Sequence, residues 1–318
     1  MTIFQTKKIQ SFIAFIIVLI AILWIFQDNI LRISFLKKIS DNTELNQFEY
    51  GDSSYLEKID NFNVKEYSDN QKILHIMTAD TYFSYKDSPV KLLNIEVRTF
   101  NEDQKEGLTL NANLAQINKQ GEFFFNGDVL IKTKNNAIHE INTESLMYVS
   151  DDGVIKSNQD VVYTGEASTI NSQGMLMNIN SDKLLLNGVV NVAHKSGSLL
   201  ESSNLSINHS KNKKVYQSKE RTIYRSTDNE ITADAGFIMN MNNNLTNLLG
   251  NVKLIGTAGT TMYSSNLIID QSNDSEVFKT NDPTRYDSPE SNIRSNKMYY
   301  DTSANKIKLT GNVVAIYE

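Results

Sequence analysis

The side chains able to do acid–base or metal chemistry are few and scattered. His75, His139, His194 and His209 are the only imidazoles, and there is no cysteine. A metal centre or a proton relay needs imidazoles and carboxylates at short, defined spacings. These four histidines share no ligand spacing, and we read them as surface or strand-edge residues. Asp151-Asp152 sits in a turn-like SDDG that lacks the alternating ligands of a calcium loop. No glycine-rich phosphate loop precedes a helix, and there is no G-x-S-x-G. The missing thiols exclude disulfides and thiolate metal sites, and fit an exported chain stabilised by packing alone. No catalytic residue, metal or cofactor is expected, and the chain reads as a non-enzyme.

Apolar side chains, by contrast, recur with a long period. FFFNGDVLIKT, LLLNGVVNVAH, TNLLGNVKLIG and IKLTGNVVAIY centre on Gly127, Gly188, Gly250 and Gly311, which are 61, 62 and 61 residues apart. Such a period is the signature of a repeat architecture. Phe125, Leu186, Leu248 and Leu309 precede each glycine by two, and Val129, Val190, Val252 and Val313 follow by two. Ile131, Val192, Leu254 and Ala315 follow by four. Alternation of this kind is a β-strand with one buried face. The glycine shares the buried parity, as an in-strand bend would; the competing reading is an Asn-Gly hairpin turn. Between glycines, each copy has a Ser/Thr-rich approach to a leucine, at Leu146, Leu205 and Leu267, and then Val154, Val215 and Val277, followed by Tyr163, Tyr224 and Tyr286, keep the register of the glycines. Each period therefore holds about four strands, which points to a β-sandwich, barrel or solenoid. Phe124 and Tyr163 are read as outward aromatics.

Composition narrows the class further. The chain has 318 residues and a net charge of −6, with no basic cluster after the first forty. Nucleic acid is therefore not an expected partner. Residues 1–8 form a short head with Lys7 and Lys8. Residues 9–27 are long and apolar enough to cross a bilayer as one helix, with Phe12, Phe15, Leu19, Trp24 and Phe26 among its anchoring side chains. No small-residue cleavage site follows, so an uncleaved anchor is expected. The short head stays cytoplasmic and the long body is external, although Arg32, Lys37 and Lys38 oppose the charge rule. Residues 28–58 read as a stalk. No linker interrupts 59–318, so one continuous array is expected. At ~10 residues per strand and ~4.8 Å between strands, it would hold ~26 strands, ~13 per layer, over ~60 Å.

ITADAGFIMNMNNNLTNLLGNVKL (231–254) and IRSNKMYYDTSANKIKLTGNVVAIY (293–317) resemble the OstA repeat of the bridge protein LptA. The anchor, with MTADTYFSY, LTLNANLAQIN and NGDVLIKT in 59–195, resembles the LptC family of lipopolysaccharide export. The resemblance implies an all-β, elongated, open β-jellyroll of two antiparallel layers behind one N-terminal transmembrane helix. It implies a bacterial inner-membrane protein with its bulk in the periplasm. The partners implied are lipopolysaccharide through its lipid A acyl chains, and the inner-membrane ABC transporter complex of the Lpt system. An LptA-like or outer-membrane LptD-like β-jellyroll is implied too, joined by edge-strand addition. The groove would be lined by Phe125, Val129, Ile131, Leu186, Val190, Val192, Leu248, Val252 and Leu254. A typical LptC ends near the position of Lys195, so 196–318 reads as an LptA/OstA-like extension continuous with 59–195. Two other readings compete. An anchored spacer with a dry core has the same periodicity. A β-helical polysaccharide enzyme needs clustered carboxylates with stacked aromatics, which the repeats lack. Without a nucleotide site, any ATP use belongs to a partner.

Overall fold

The computed structural model describes residues 55–101, 103–119, 121–133, 139–149, 154–178, 183–210, 213–256, 259–273 and 275–317. The expected head, anchor and most of the stalk, with Phe12, Phe15, Leu19, Trp24 and Phe26, lie outside them, as does the SDDG at 150–153. Among the described residues no helix is long and apolar enough to cross a membrane. All regular structure among them is antiparallel strand, apart from isolated turns.

Six long strands open the chain: β1 (Glu57–Tyr67), β2 (Ile73–Ser84), β3 (Val90–Phe100), β4 (Glu106–Ile117), β5 (Phe123–Thr133) and β6 (His139–Val149). Then come β7 (Val154–Ser157), β8 (Val161–Thr164), β9 (Ser168–Ser172), β10 (Gly174–Asn178), β11 (Lys183–His194) and β12 (Leu199–Ser210). The pattern of four short and two long strands repeats through β13 (Lys213–Ser218), β14 (Thr222–Arg225), β15 (Glu230–Ala233), β16 (Phe237–Asn240), β17 (Leu245–Ile255) and β18 (Thr261–Asp270). It closes with β19 (Val277–Thr280), β20 (Thr284–Ser288), β21 (Ser291–Ser295), β22 (Lys297–Asp301), β23 (Lys306–Thr310) and β24 (Val314–Tyr317).

The pairing explains why some strands are long and others short. The Lys183–Asn187 half of β11 pairs with β10, whereas its Asn191–His194 half pairs with β9. In the same way β6, β12 and β18 each pair with two short strands, β7 and β8, β13 and β14, or β19 and β20. Each short pair, such as β7–β8, is thus one strand broken where the long strands bend. The whole is a single antiparallel sheet folded lengthwise into two layers. One layer holds β7, β10, β13, β16, β19, β22 and β23; the other holds β8, β9, β14, β15, β20, β21 and β24. Among the described residues, ten long strands and seven broken ones place seventeen strand segments in each layer. Sixteen steps of ~4.8 Å give a sheet ~77 Å long. The shorter estimate from sequence fails because the repeating unit is a bent strand that serves both layers.

The fold line is built from left-handed residues. Gly127, Gly188 and Gly250 have φ of 75°, 71° and 81°, and the strand register slips beside each of them. Each is a β-bulge, which bends and twists its strand. This decides for the in-strand bend over the hairpin turn. The glycines themselves are only half-buried, so they mark the corner rather than the inward face. Asn61, Asn94 and Asn204 take the same conformation in the middle of β1, β3 and β12. Inward residues lie two apart within each half, but three or four apart across the corner: Leu92 to Ile95, Leu186 to Val190. One apolar cluster runs between the layers from Met77 to Met298.

Candidate functional interior

All nine expected lining residues point inward. Phe125, Val129, Ile131, Leu186, Val190, Val192, Leu248, Val252 and Leu254 are each no more than 5% exposed. Three copies of the glycine strand thus present one continuous apolar face, and side chains from both layers fill the space between them. The fourth copy differs. Val313 is 51% exposed, and Ala315 is exposed too, because no strand beyond β23 and β24 covers them among the described residues.

On the closed side, buried hydroxyls repeat with the glycines. The Ser157, Ser218 and Thr280 hydroxyls accept from the backbone N–H of Gln159, Glu220 and Asp282 at 3.1, 3.0 and 3.0 Å. Each also bonds a hydroxyl on the neighbouring strand: Thr143 at 2.9 Å, Ser202 at 3.0 Å and Ser264 at 3.1 Å. They satisfy backbone and side-chain groups exactly where strands break, as buried polar groups require. Outside the corner a second polar row runs along the fold. Asn94 donates to Asp80 at 2.7 Å, and the Asn251 backbone N–H and side chain donate to Asp234 at 2.7 and 2.6 Å.

The opposite side, where the hairpin turns of the two layers lie, is the seam. Here the Tyr163, Tyr224 and Tyr286 series stands, and here one sequence expectation is corrected. Tyr163 is inward and 1% exposed, not an outward aromatic. The inward parity of Ile155 and Ser157 on β7 continues through the break at 158–160 to Val161 and Tyr163 on β8. The Tyr163 hydroxyl shares a 2.8 Å hydrogen bond with His139 Nδ1 and meets the Tyr216 hydroxyl, from the other layer, at 3.5 Å. The Tyr224 hydroxyl donates to Glu276 across the seam and accepts from Gln271 Nε2 at 3.0 Å. Burial lifts both phenols well above the usual range, so they stay neutral donors.

His75 is a second correction: it is buried, not superficial. It stands opposite Glu66 in the β1–β2 register, and Glu66 is buried as well. Burial raises the Glu66 carboxyl to about 8 and lowers the His75 imidazole to about 4. Among the described residues no three His, Asp or Glu side chains gather as a metal-ligand set.

The comparison with protein families decides the affiliation. The model for lipopolysaccharide assembly, LptC-related, matches residues 15–195 and again 212–318. The chain belongs to the LptC family. No curated protein matches it. Membership gives the chain a role in lipopolysaccharide transport, in a family of inner-membrane-anchored periplasmic components rather than of enzymes. Residues 212–318, which resemble OstA repeats, match the LptC-related model too. In the structure the sheet continues across that region, because β11 and β12 pair as a hairpin on either side of Lys195. Sequence reasoning found the inward glycine-strand face of this LptC chain but missed its hydroxyl row. The signal was present: Ser157, Ser218 and Thr280 are 61 and 62 residues apart.

Proposed function

We propose that this LptC-family protein is a membrane-anchored periplasmic carrier. It receives lipopolysaccharide from the inner-membrane ABC transporter complex of the Lpt system. Its interior takes the lipid A acyl chains and passes them toward the outer membrane. The observation that supports this most is the continuous apolar face along three repeats, enclosed by a sheet that is folded rather than closed. On the corner side the layers are joined by covalent chain and backbone bonds. On the seam side the contacts found are between side chains, so the layers can part there without breaking the sheet. Nine lining residues carry the role: Phe125, Val129, Ile131, Leu186, Val190, Val192, Leu248, Val252 and Leu254.

The sheet also has free edges. Among the described residues β1 pairs only with β2, β23 only with β22 and β24 only with β21. Ile316 and Tyr317 on β24 are 59% and 76% exposed. Unpaired edges template strand addition, which supports docking of an LptA-like or LptD-like β-jellyroll at the C-terminal edge. In this reading 196–318 is a built-in stretch of bridge. How fully side chains fill the interior favours the second reading, an anchored spacer with a dry core. A reporter inside separates the two. Trp24 is the chain's one tryptophan, so Phe125→Trp in a Trp24→Phe background reports from the interior alone. Lipid A with brominated acyl chains should quench its emission, and acyl-free core oligosaccharide should not. A folded variant left unquenched by saturating lipid A would leave the spacer.

A further inference from the structure

On the outside of the layer that holds β8, β9, β14, β15, β20 and β21, one row of side chains passes from strand to strand. Its chemistry changes at the third repeat. In the first repeat the row reads Leu130, Asn142, Val162 and Asn171. In the second it reads Asn191, Glu201, Ile223 and Thr232. In the third it reads Lys253, Tyr263, Arg285 and Arg294. A chain of net charge −6 thus gathers three cations where the same row of its earlier repeats carries none. Three steps of ~4.8 Å from β17 to β21 make this part of the row ~14 Å long. Lys253 Nζ and Arg285 Cζ lie 5.9 and 4.4 Å from the centre of the Tyr263 ring, within reach of cation–π attraction. Arg285 and Arg294 stand directly opposite each other in the β20–β21 register, and like charges so placed are destabilising. Asp287 relieves Arg285 in part, at 2.9 Å. Of the other neighbouring carboxylates, Asp234 accepts from Asn251 and Asp282 accepts from Asn266. Among the described residues the ion pairs reach neither Lys253 nor Arg294. Tyr263, Arg285 and Arg294 line a shallow depression of about 410 Å³, with Asn251, Asn296 and Asn312 on its rim.

We propose that this depression on the outer face of the third repeat is a binding site for a phosphorylated saccharide. Two guanidinium groups held side by side match the oxygens of a phosphate group, which arginine binds with paired, charge-assisted hydrogen bonds. A bound phosphate also relieves the repulsion between Arg285 and Arg294, so the arrangement that costs stability in the free protein favours the complex. The exposed amides of Asn296 and Asn312 both donate and accept, which suits sugar hydroxyls. The site lies outside the apolar interior, and it stands whether or not that interior takes acyl chains. Its ligand has two sources, the phosphorylated sugar headgroup of a lipid or a free phosphorylated saccharide, and the chemistry of recognition is the same for both.

The test is titration calorimetry of the full chain in detergent. The probe is the acyl-free backbone of lipid A, a glucosamine disaccharide with two phosphates, compared with the same disaccharide without phosphate and with inorganic phosphate. The proposal predicts that the phosphorylated disaccharide binds more tightly than either of the others, and less tightly as salt is added. Arg285→Gln and Arg294→Gln should each weaken it about tenfold. Lys308→Gln, which removes an exposed charge from β23 in the other layer, should leave it unchanged. Arg294→Gln should also unfold at the same or a higher denaturant concentration than wild type, since it removes one of two opposed like charges. Intact lipid A in detergent separates the sources. The same tenfold loss with Arg294→Gln assigns the site to the lipid's own headgroup, and a loss confined to the acyl-free probe assigns it to a free saccharide. No binding of the phosphorylated disaccharide, equal binding without its phosphates, or equal weakening by Lys308→Gln would overturn the site. The acyl-free probe does not report on the interior, so each of those results leaves the carrier reading standing.

Discussion

A glycine at φ 81° can be replaced only at a cost, and Gly250 shows how large. An added Cβ would lie 2.0 Å from Asp234 Oδ1 and 2.7 Å from the Ala235 Cβ. Gly197 has φ 89° but nothing within 4 Å of its Cβ position. Gly250→Ala therefore carries backbone strain of about 1–3 kcal/mol plus a clash, whereas Gly197→Ala carries strain alone. Denaturant unfolding of the full chain should rank Gly250→Ala as clearly the more damaging. Glu66 and His75 give a pH prediction. The Glu66 pKa is raised from 4.5 to about 8, so its stabilisation is full below pH 4.5 and is lost as pH rises through 8. The His75 pKa is lowered from 6.5 to about 4, so its stabilisation is full above pH 6.5 and is lost as pH falls through 4. Between pH 6.5 and 8 the glutamate acts alone. Wild-type stability should decline across that window, and Glu66→Gln should flatten the decline.

The bent strand is the working element of this fold. Its inward positions are legible in sequence because period-two alternation survives within each half: Leu184 and Leu186, then Val190 and Val192. The glycine corners are legible because the repeat aligns them. The asparagine corners at Asn94 and Asn204 are not, since asparagine suits turns and left-handed bends equally. The inward place of Tyr163 is legible, because the parity of Ile155 and Ser157 continues to Val161 and Tyr163, whereas the cross-layer tyrosine contacts join residues that no local pattern links. The hydroxyl row makes its own prediction. Ser218 accepts from the Glu220 N–H and donates to the Ser203 carbonyl at 2.6 Å. Ser218→Ala strands these buried groups and should cost about 1–3 kcal/mol. Replacing Ser202 and Ser218 together should cost less than the sum of the single changes, a coupling that a double-mutant cycle reads directly.

At the scale of the molecule, one folded sheet spans ~77 Å, at ~4.8 Å per strand, with apolar edge residues exposed at its C-terminal end. A chain cut after Lys195 would lose β12 to β24 and leave β11 as a new edge. If 196–318 is part of the bridge, that truncation should stop lipopolysaccharide export in the host, although the β1–β11 part remains anchored. Export at the normal rate would show that the extension has another use. The most direct measurement concerns the interior itself. A photo-crosslinking residue is placed at Phe125, which is buried, and separately at Lys308, which is exposed on β23, in cells carrying the transporter. The carrier account predicts a lipopolysaccharide adduct at position 125 and none at 308. A folded, anchored protein with no adduct at 125, or with equal adducts at both, would contradict it.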